Sequence, residues 1–132
     1  MEKLIIVIEK SSDHFGAYSE NCEGIYAAGD SLDDVKADTY EAIRILKSNL
    51  PEEQWPDILK RDFEVEWKID VPSFLEYYSQ YMSLAGMEKM TGVNQKQLSN
   101  YLNHRSVPRA KQTSRIRDGI HRFAEELLSI TL

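Results

Sequence analysis

The sequence contains no long apolar segment and almost no cysteine. Its longest strongly apolar run, residues 4–8, is far shorter than the ~20 residues that a helix needs to cross a bilayer. The single cysteine, Cys22, cannot form an internal disulfide, which suits a reducing compartment. The opening Met-Glu-Lys leads directly into a β-type run and lacks the pattern of a signal peptide. We therefore expect a cytoplasmic protein without a membrane-spanning segment.

Motifs that mark common catalytic and metal sites are also missing. No His-Glu-x-x-His, Cys-x-x-Cys, glycine-rich phosphate loop or nucleophile elbow occurs. His14, His104 and His121 lie far apart and lack the spacing of metal ligands. Cys22 lies between two glutamates, whose charges should raise the pKa of its thiol and make it a poor nucleophile. We expect no catalytic residues, no cofactor and no bound metal.

Charge is distributed unevenly along the chain. The net charge of −6 would by itself disfavour nucleic-acid binding. Residues 1–70, however, contain 8 Lys and Arg against 17 Asp and Glu, whereas residues 71–132 contain 8 against 5. All basic residues of the second half fall between Lys89 and Arg122, where Asp118 is the one acid. This asymmetry favours an acidic partner for the second half, against the alternative of a solvated helix face.

The first half has the pattern of a small sheet crossed by one helix. Residues 4–8 form a mostly β-branched run, typical of a strand buried on both faces. Ser31 is a suitable N-cap, with Asp34 in capping-box position, for a helix that must end by Pro51. The predicted order is β-β-β-α-β, with strands at residues 4–8, 14–19, 25–28 and 63–69.

The second half is predicted to be entirely helical. Pro72 and Ser73 should open a short helix over residues 74–82, whose aromatic stripe is expected in the core: Phe74, Tyr77, Tyr78 and Tyr81. Pro108 should open the last helix, whose apolar stripe comprises Ile116, Ile120, Phe123, Leu127 and Leu128. The fold class is therefore α+β, with domains at residues 1–70 and 71–132.

Residues 84–102 carry the most informative pattern. A first helix should end at Gly92, which can adopt the left-handed conformation of a tight turn. Val93 should anchor the turn in the core, and Asn94 should cap a second helix. This pattern predicts a helix-turn-helix, against the alternative of an ordinary helix pair joined by a glycine turn.

The exposed face of that second helix is where we expect DNA recognition. Amide side chains pair bidentately with adenine, and a helix of this size fits the major groove. The residues predicted to contact bases are Gln95, Lys96, Ser99 and Asn100. The residues predicted to contact phosphates lie in the following loop and helix: Arg105, Arg109, Lys111 and Arg115.

Two resemblances to known families rest on these motifs. The pattern Gly-Val-Asn-Gln-x-x-Leu-Ser-x-Tyr-Leu, at residues 92–102, is similar to the helix-turn-helix of phage repressors. It departs at Glu88, where that family usually has alanine, and such a glutamate could extend outward into solvent. Over nearly its whole length the chain resembles the HicB family of type II antitoxins. The opening Leu-Ile-Ile-Val-Ile-Glu-Lys, the segment from His14 to Asp34 and the helix-turn-helix carry this resemblance.

The HicB resemblance implies a function for each half. It implies that residues 1–70 form a degenerate, catalytically inactive RNase H-like domain that binds a small basic ribonuclease toxin, HicA. It implies that residues 71–132 bind double-stranded operator DNA and repress transcription, and that the protein self-associates. The toxin-contacting residues are not indicated. An acidic domain is electrostatically suited to a basic partner, which agrees with this interpretation.

Three hypotheses follow from the sequence. The first is an antitoxin that represses its own operon. The second is a solitary helix-turn-helix regulator whose first domain senses a small molecule or dimerises. The third is a small nuclease that uses carboxylates such as Asp30 and Glu41, although acids as frequent as these also cluster by chance. In the first two, we expect a homodimer or higher oligomer, joined through the last helix and residues 128–132.

Overall fold

The computed structural model describes residues 1–132 and has a four-stranded mixed sheet and five α-helices, so the α+β class is confirmed. The strands are β1 (Glu2–Lys10), β2 (Phe15–Ser19), β3 (Tyr26–Gly29) and β4 (Phe63–Ile69). The α-helices are α1 (Leu32–Asn49), α2 (Val71–Tyr78), α3 (Leu84–Thr91), α4 (Gln95–Leu102) and α5 (Ala110–Leu128). The chain divides into two compact units, Met1–Asp70 and Val71–Leu132. None of the helices combines the length and apolar character required to cross a membrane.

The sheet of the first unit has the strand order β3-β2-β1-β4. The β1–β2 and β2–β3 pairs are antiparallel, whereas β1 and β4 are parallel. A parallel pair requires a crossover, and α1 with two short 3₁₀ segments (Glu52–Gln54 and Asp57–Lys60) supplies it. The predicted element order β-β-β-α-β is confirmed, with strand ends shifted by one or two residues.

Strand β1 is fully buried on one face only, which corrects the expectation of burial on both. Leu4, Ile6 and Ile8 are 0–2% exposed, whereas Ile5 and Val7 remain partly exposed. Val35, Thr39 and Ile43 provide the buried side of α1. The unit has a single α-helix, so one sheet face forms the core and the other keeps contact with solvent.

Helix α1 begins and ends where the local sequence dictates. The Ser31 hydroxyl accepts a hydrogen bond from the backbone N–H of Asp34 at 3.0 Å, as expected of an N-cap. The helix ends at Asn49, two residues before Pro51, and the indole of Trp55 donates to the carbonyl of Leu50 at 2.9 Å. This contact satisfies a backbone carbonyl at the end of the helix.

All four helices of the second unit, and the turn between α3 and α4, contribute to its core. The buried residues of this core are Leu75, Met87, Val93, Leu98, Tyr101 and Ile116. Phe74, Tyr77 and Tyr78 are half-buried, but Tyr81 is 68% exposed, so the predicted aromatic stripe was partly wrong. The reason is that α2 spans Val71–Tyr78 and ends before Tyr81, which leaves Tyr81 outside the helical repeat.

The apolar stripe predicted for α5 is also interrupted. Ile116 is buried and Phe123 is half-buried, but Leu127 and Leu128 are 55% and 86% exposed. The last turn of α5 therefore extends beyond the core of its unit.

A glycine in the middle of α5 permits a close helix contact that the sequence pattern did not indicate. Gly119 is buried, and a Cβ placed there would lie 2.4 Å from the carbonyl oxygen of Met90 and 2.6 Å from the Cα of Thr91. Real Cβ atoms do not approach backbone so closely, so α3 and α5 can be this near only because residue 119 is glycine.

We expect Gly119→Ala to lower the free energy of unfolding by about 1–3 kcal/mol, because overpacking outweighs the better helix propensity of alanine. Gly86→Ala in α3 is the matched control, since a Cβ there would approach only the Ser83 hydroxyl, at 3.3 Å. Urea unfolding followed by circular dichroism measures both. Unchanged stability of the Gly119 variant would contradict the close α3–α5 contact.

Candidate nucleic-acid interface

The turn between α3 and α4 is held by its own backbone and side chains. Gly92 has a φ of 75°, and its N–H donates to the carbonyl of Glu88 at 2.8 Å. Val93 is 1% exposed, and its N–H donates to the Thr91 hydroxyl at 3.1 Å. The Asn94 side-chain oxygen accepts from the N–H of Lys96 at 2.8 Å. The roles predicted for Gly92, Val93 and Asn94 within this turn are confirmed.

Glu88 connects the two helices instead of extending into solvent. Its carboxylate accepts a hydrogen bond from the backbone N–H of Gln95, the first residue of α4, at 2.6 Å. A carboxylate at this position satisfies an otherwise unpaired donor and interacts favourably with the positive end of the helix dipole. Glu88, which stands where the compared helix-turn-helix pattern usually has alanine, therefore caps the N-terminus of α4 from the preceding helix.

Arg115 braces the same turn from the side of α5. Its Nη2 donates to the carbonyl oxygen of Gly92 at 2.7 Å, and its Nη1 donates to the side chain of Gln112 at 3.1 Å. The sequence predicted a phosphate contact for this residue. In the structure, Arg115 holds α5 against the end of α3. Only the guanidinium N–H groups that are not used in these two hydrogen bonds remain for a ligand.

The four residues predicted to contact bases fall into two pairs. Gln95 and Lys96 are exposed at the start of α4, and their side chains make no hydrogen bond within the protein. Ser99 and Asn100 are half-buried: the Ser99 hydroxyl accepts from Asn103 at 3.3 Å, and the Asn100 side-chain oxygen accepts from Arg105 at 3.3 Å. Leu84, Asn94, Gln95, Lys96 and Ser99 line one open depression of about 420 Å³.

The remaining predicted phosphate contacts flank α4. His104 has a left-handed φ of 59°, which turns the chain after α4, and the N–H of Arg105 donates to the carbonyl of Asn100 at 2.8 Å. Arg109 precedes α5 and Lys111 lies in its first turn; both side chains are exposed and make no ion pair. Arg109 and Lys111 are therefore the two cations of this group whose side chains make neither a hydrogen bond nor an ion pair within the protein.

Two of the carboxylates of the first unit, Glu41 and Asp38, are engaged in local contacts, and the thiol is buried. Arg44 donates hydrogen bonds to Glu41 and holds the pKa of that carboxyl below its ordinary value. Asp38 accepts from the backbone N–H of Ala28 at 2.9 Å. Burial, more than the charge of Glu23, raises the pKa of the Cys22 thiol. No group of three or more His, Cys, Asp or Glu side chains is arranged to hold a metal ion.

We expect Glu88→Ala to lower the free energy of unfolding by about 0.5–2 kcal/mol, the usual cost of losing a helix cap. Glu88→Gln retains a side-chain oxygen and should recover part of this stability. Glu125→Ala, an exposed glutamate on α5, is the control and should change stability by less than about 0.5 kcal/mol. Equal urea midpoints for the Glu88 and Glu125 alanine variants would contradict the capping role.

The surface around α4 thus combines free amide, ammonium and guanidinium groups on one rigid helix and its neighbouring loop. Comparisons of the chain with known family models, curated proteins and solved structures gave no match. The geometry of each unit and the chemistry of its exposed residues therefore carry the functional conclusion.

Proposed function

We propose that this chain is the antitoxin of a HicA/HicB-type toxin–antitoxin pair. In this proposal, α3 and α4 form a DNA-binding helix-turn-helix that represses the operon encoding both proteins. Residues 1–70 form a degenerate RNase H-like domain that neutralises a small basic, mRNA-cleaving toxin. The observation that carries the proposal is the exposed start of α4, where Gln95 and Lys96 are unengaged beside Arg109 and Lys111.

Helix α4 has the properties that a recognition helix needs. One side is fixed by the buried residues Leu98 and Tyr101, so the orientation of the other side is defined. The exposed side begins with an amide and a cation, which can reach base edges from the first turn of a helix lying in the major groove. The flanking cations are placed to contact phosphates, which supply most of the non-specific affinity for DNA.

The charge of the first unit supports a basic protein as its partner. Residues 1–70 contain 17 Asp and Glu against 8 Lys and Arg. A surface of one sign speeds the encounter with a partner of opposite sign and disfavours nucleic acid. The ion pair of Glu41 with Arg44 and the backbone contact of Asp38 engage these two acids within the protein, which disfavours a nuclease site built on them.

The end of the chain supports dimerisation. Leu127, Leu128 and Ile130 lie close together in sequence and are 55%, 86% and 60% exposed. Contiguous apolar side chains of this kind are commonly covered by another protein surface. In a dimer with a twofold axis, a palindromic operator requires the two recognition helices to lie ~34 Å apart.

Gln95→Ala should weaken operator binding by about 1–3 kcal/mol and leave non-specific binding nearly unchanged, because in this proposal its free amide reads a base. Asn100→Ala should weaken operator binding to a similar extent, but it also removes the hydrogen bond that Arg105 donates to Asn100. Alanine at Arg109 or Lys111 should weaken binding to all DNA and reduce the slope of log K against log salt by about 0.9 for each phosphate that is no longer neutralised. Titrations of operator and scrambled duplexes at several salt concentrations distinguish the two effects.

The engaged cation Arg115 gives this experiment an internal comparison. Because Arg115 holds the turn, Arg115→Ala should lower both stability and operator affinity, unlike Arg109→Ala, which should leave stability unchanged. Identical binding profiles for Gln95→Ala and Arg109→Ala would mean that α4 does not read bases. Absence of any DNA binding would contradict the repressor function itself.

Leu128→Asp should dissociate the proposed dimer, because the apolar end of α5 would acquire a charge that is costly to bury. Val107→Asp is the matched control, since Val107 is also 86% exposed but lies in the loop before α5. Sedimentation velocity at tens of micromolar should show a dimer for the unsubstituted and Val107 chains. A monomeric unsubstituted chain would contradict this assembly.

A further inference from the structure

One face of the sheet carries exposed aromatic side chains that no element of the first unit buries. Strand register places Val7 opposite Tyr18, and Tyr18 opposite Tyr26, so these three side chains form one row across three strands. Ile5 lies on the same face, next to Val7 along β1. All fully buried residues of the sheet lie on the opposite face: Leu4, Ile6, Ile8, Phe15 and Ala17. We call the uncovered side, with Ile5, Val7, Tyr18 and Tyr26, the open face.

The tyrosines of the open face differ from the other exposed tyrosine of this unit. Tyr26 is 74% exposed and Tyr18 is 39% exposed, and neither makes a ring contact or a hydrogen bond through its side chain. Tyr40 on α1, in contrast, packs edge-on against Trp67 with their centroids 5.9 Å apart. Single exposed apolar residues are common, but a contiguous row of this kind is typical of a binding surface.

The charges around the open face are selective for a cationic partner. Its two lysines are already paired: Lys3 lies 3.7 Å from Glu66, and Lys68 lies 3.3 Å from Glu20. Glu9, which follows Val7 on the same side of β1, makes no ion pair. The uncompensated charge on this face is therefore negative.

Aromatic and acidic groups together recognise guanidinium and ammonium groups in two ways. A tyrosine ring attracts a cation over its face, and a carboxylate accepts charge-assisted hydrogen bonds from an arginine. A surface with only acids would attract cations without orienting them, whereas two neighbouring tyrosines also supply apolar contact area. The open face therefore fits a folded protein with arginine or lysine on an otherwise apolar patch.

We propose that the open face is the surface on which the basic ribonuclease docks, with its cationic side chains over Tyr18 and Tyr26 and against Glu9. This inference rests on the proposed function, which assigns a basic partner to residues 1–70. It adds the face of the sheet that binds the partner.

The test measures binding of the full-length chain to the purified small basic protein encoded beside its gene, by isothermal titration calorimetry. Tyr26→Ala and Glu9→Lys should each weaken binding by at least about tenfold, as expected for central contact residues. Tyr81→Ala is the control for the first change, since Tyr81 is 68% exposed and lies outside the first unit. Glu52→Lys is the control for the second, because it alters charge equally at an exposed, unpaired glutamate. Both controls should change affinity by less than about threefold.

The outcomes separate the docking face from the proposed function. If Glu9→Lys and Glu52→Lys weakened binding equally, only long-range electrostatic attraction would be acting, and the open face would not be the docking site. Normal binding by Tyr26→Ala would exclude the open face as well. In both cases the antitoxin function would stand. If no such gene exists, or the unsubstituted chain does not bind its product, the antitoxin function and this inference both fail. If the Tyr26→Ala variant alone sedimented differently from the unsubstituted chain, a second copy of the chain would be the molecule that covers the open face. This result would overturn the proposal.

Discussion

The position of α4 depends on one set of contacts around the turn that precedes it. With eight residues, α4 is shorter than the ~12–15 residues that an isolated helix needs to be even marginally stable in water. Its N-terminus is capped by Glu88 from α3, and the carbonyl at the end of α3 is bound by Arg115 from α5. The close approach of α5 to α3 that Gly119 permits lets Arg115 reach this carbonyl. The exposed amide of Gln95 is therefore presented by a turn that three helices hold in place.

These contacts also explain which parts of the molecule could be predicted from the sequence. Local signals such as the Ser31 cap, the stop before Pro51 and the left-handed Gly92 involve neighbouring residues, and each was predicted correctly. The bonds of Glu88 and Arg115 join residues 7 and 23 positions apart and depend on how the helices pack. A pattern of residue types contains no such information, so Arg115 was interpreted only as a surface cation.

The errors about burial have a related cause. An apolar run such as residues 4–8 indicates a strand but does not say whether one or two layers cover it. The single helix of the first unit leaves Ile5 and Val7 on a partly exposed face. In the same way, the apolar spacing of α5 continues to Leu128, although the core of its unit ends earlier. Both surfaces could be identified only after the number of layers and the ends of the core were known.

The parallel pairing of β1 with β4 has a consequence for synthesis of the protein. Glu2 pairs with Phe63 and Ile8 with Ile69. The central strand β1 is therefore synthesised first, whereas its partner β4 follows α1 and both 3₁₀ segments in the chain. Pairings of such long sequence separation form slowly because loop closure must precede them. Until residues 63–69 are available, β1 can pair only with β2, so one of its edges has no strand partner. An unpaired strand edge is a template for wrong pairing, so we expect this unit to fold correctly only after β4 has joined the sheet.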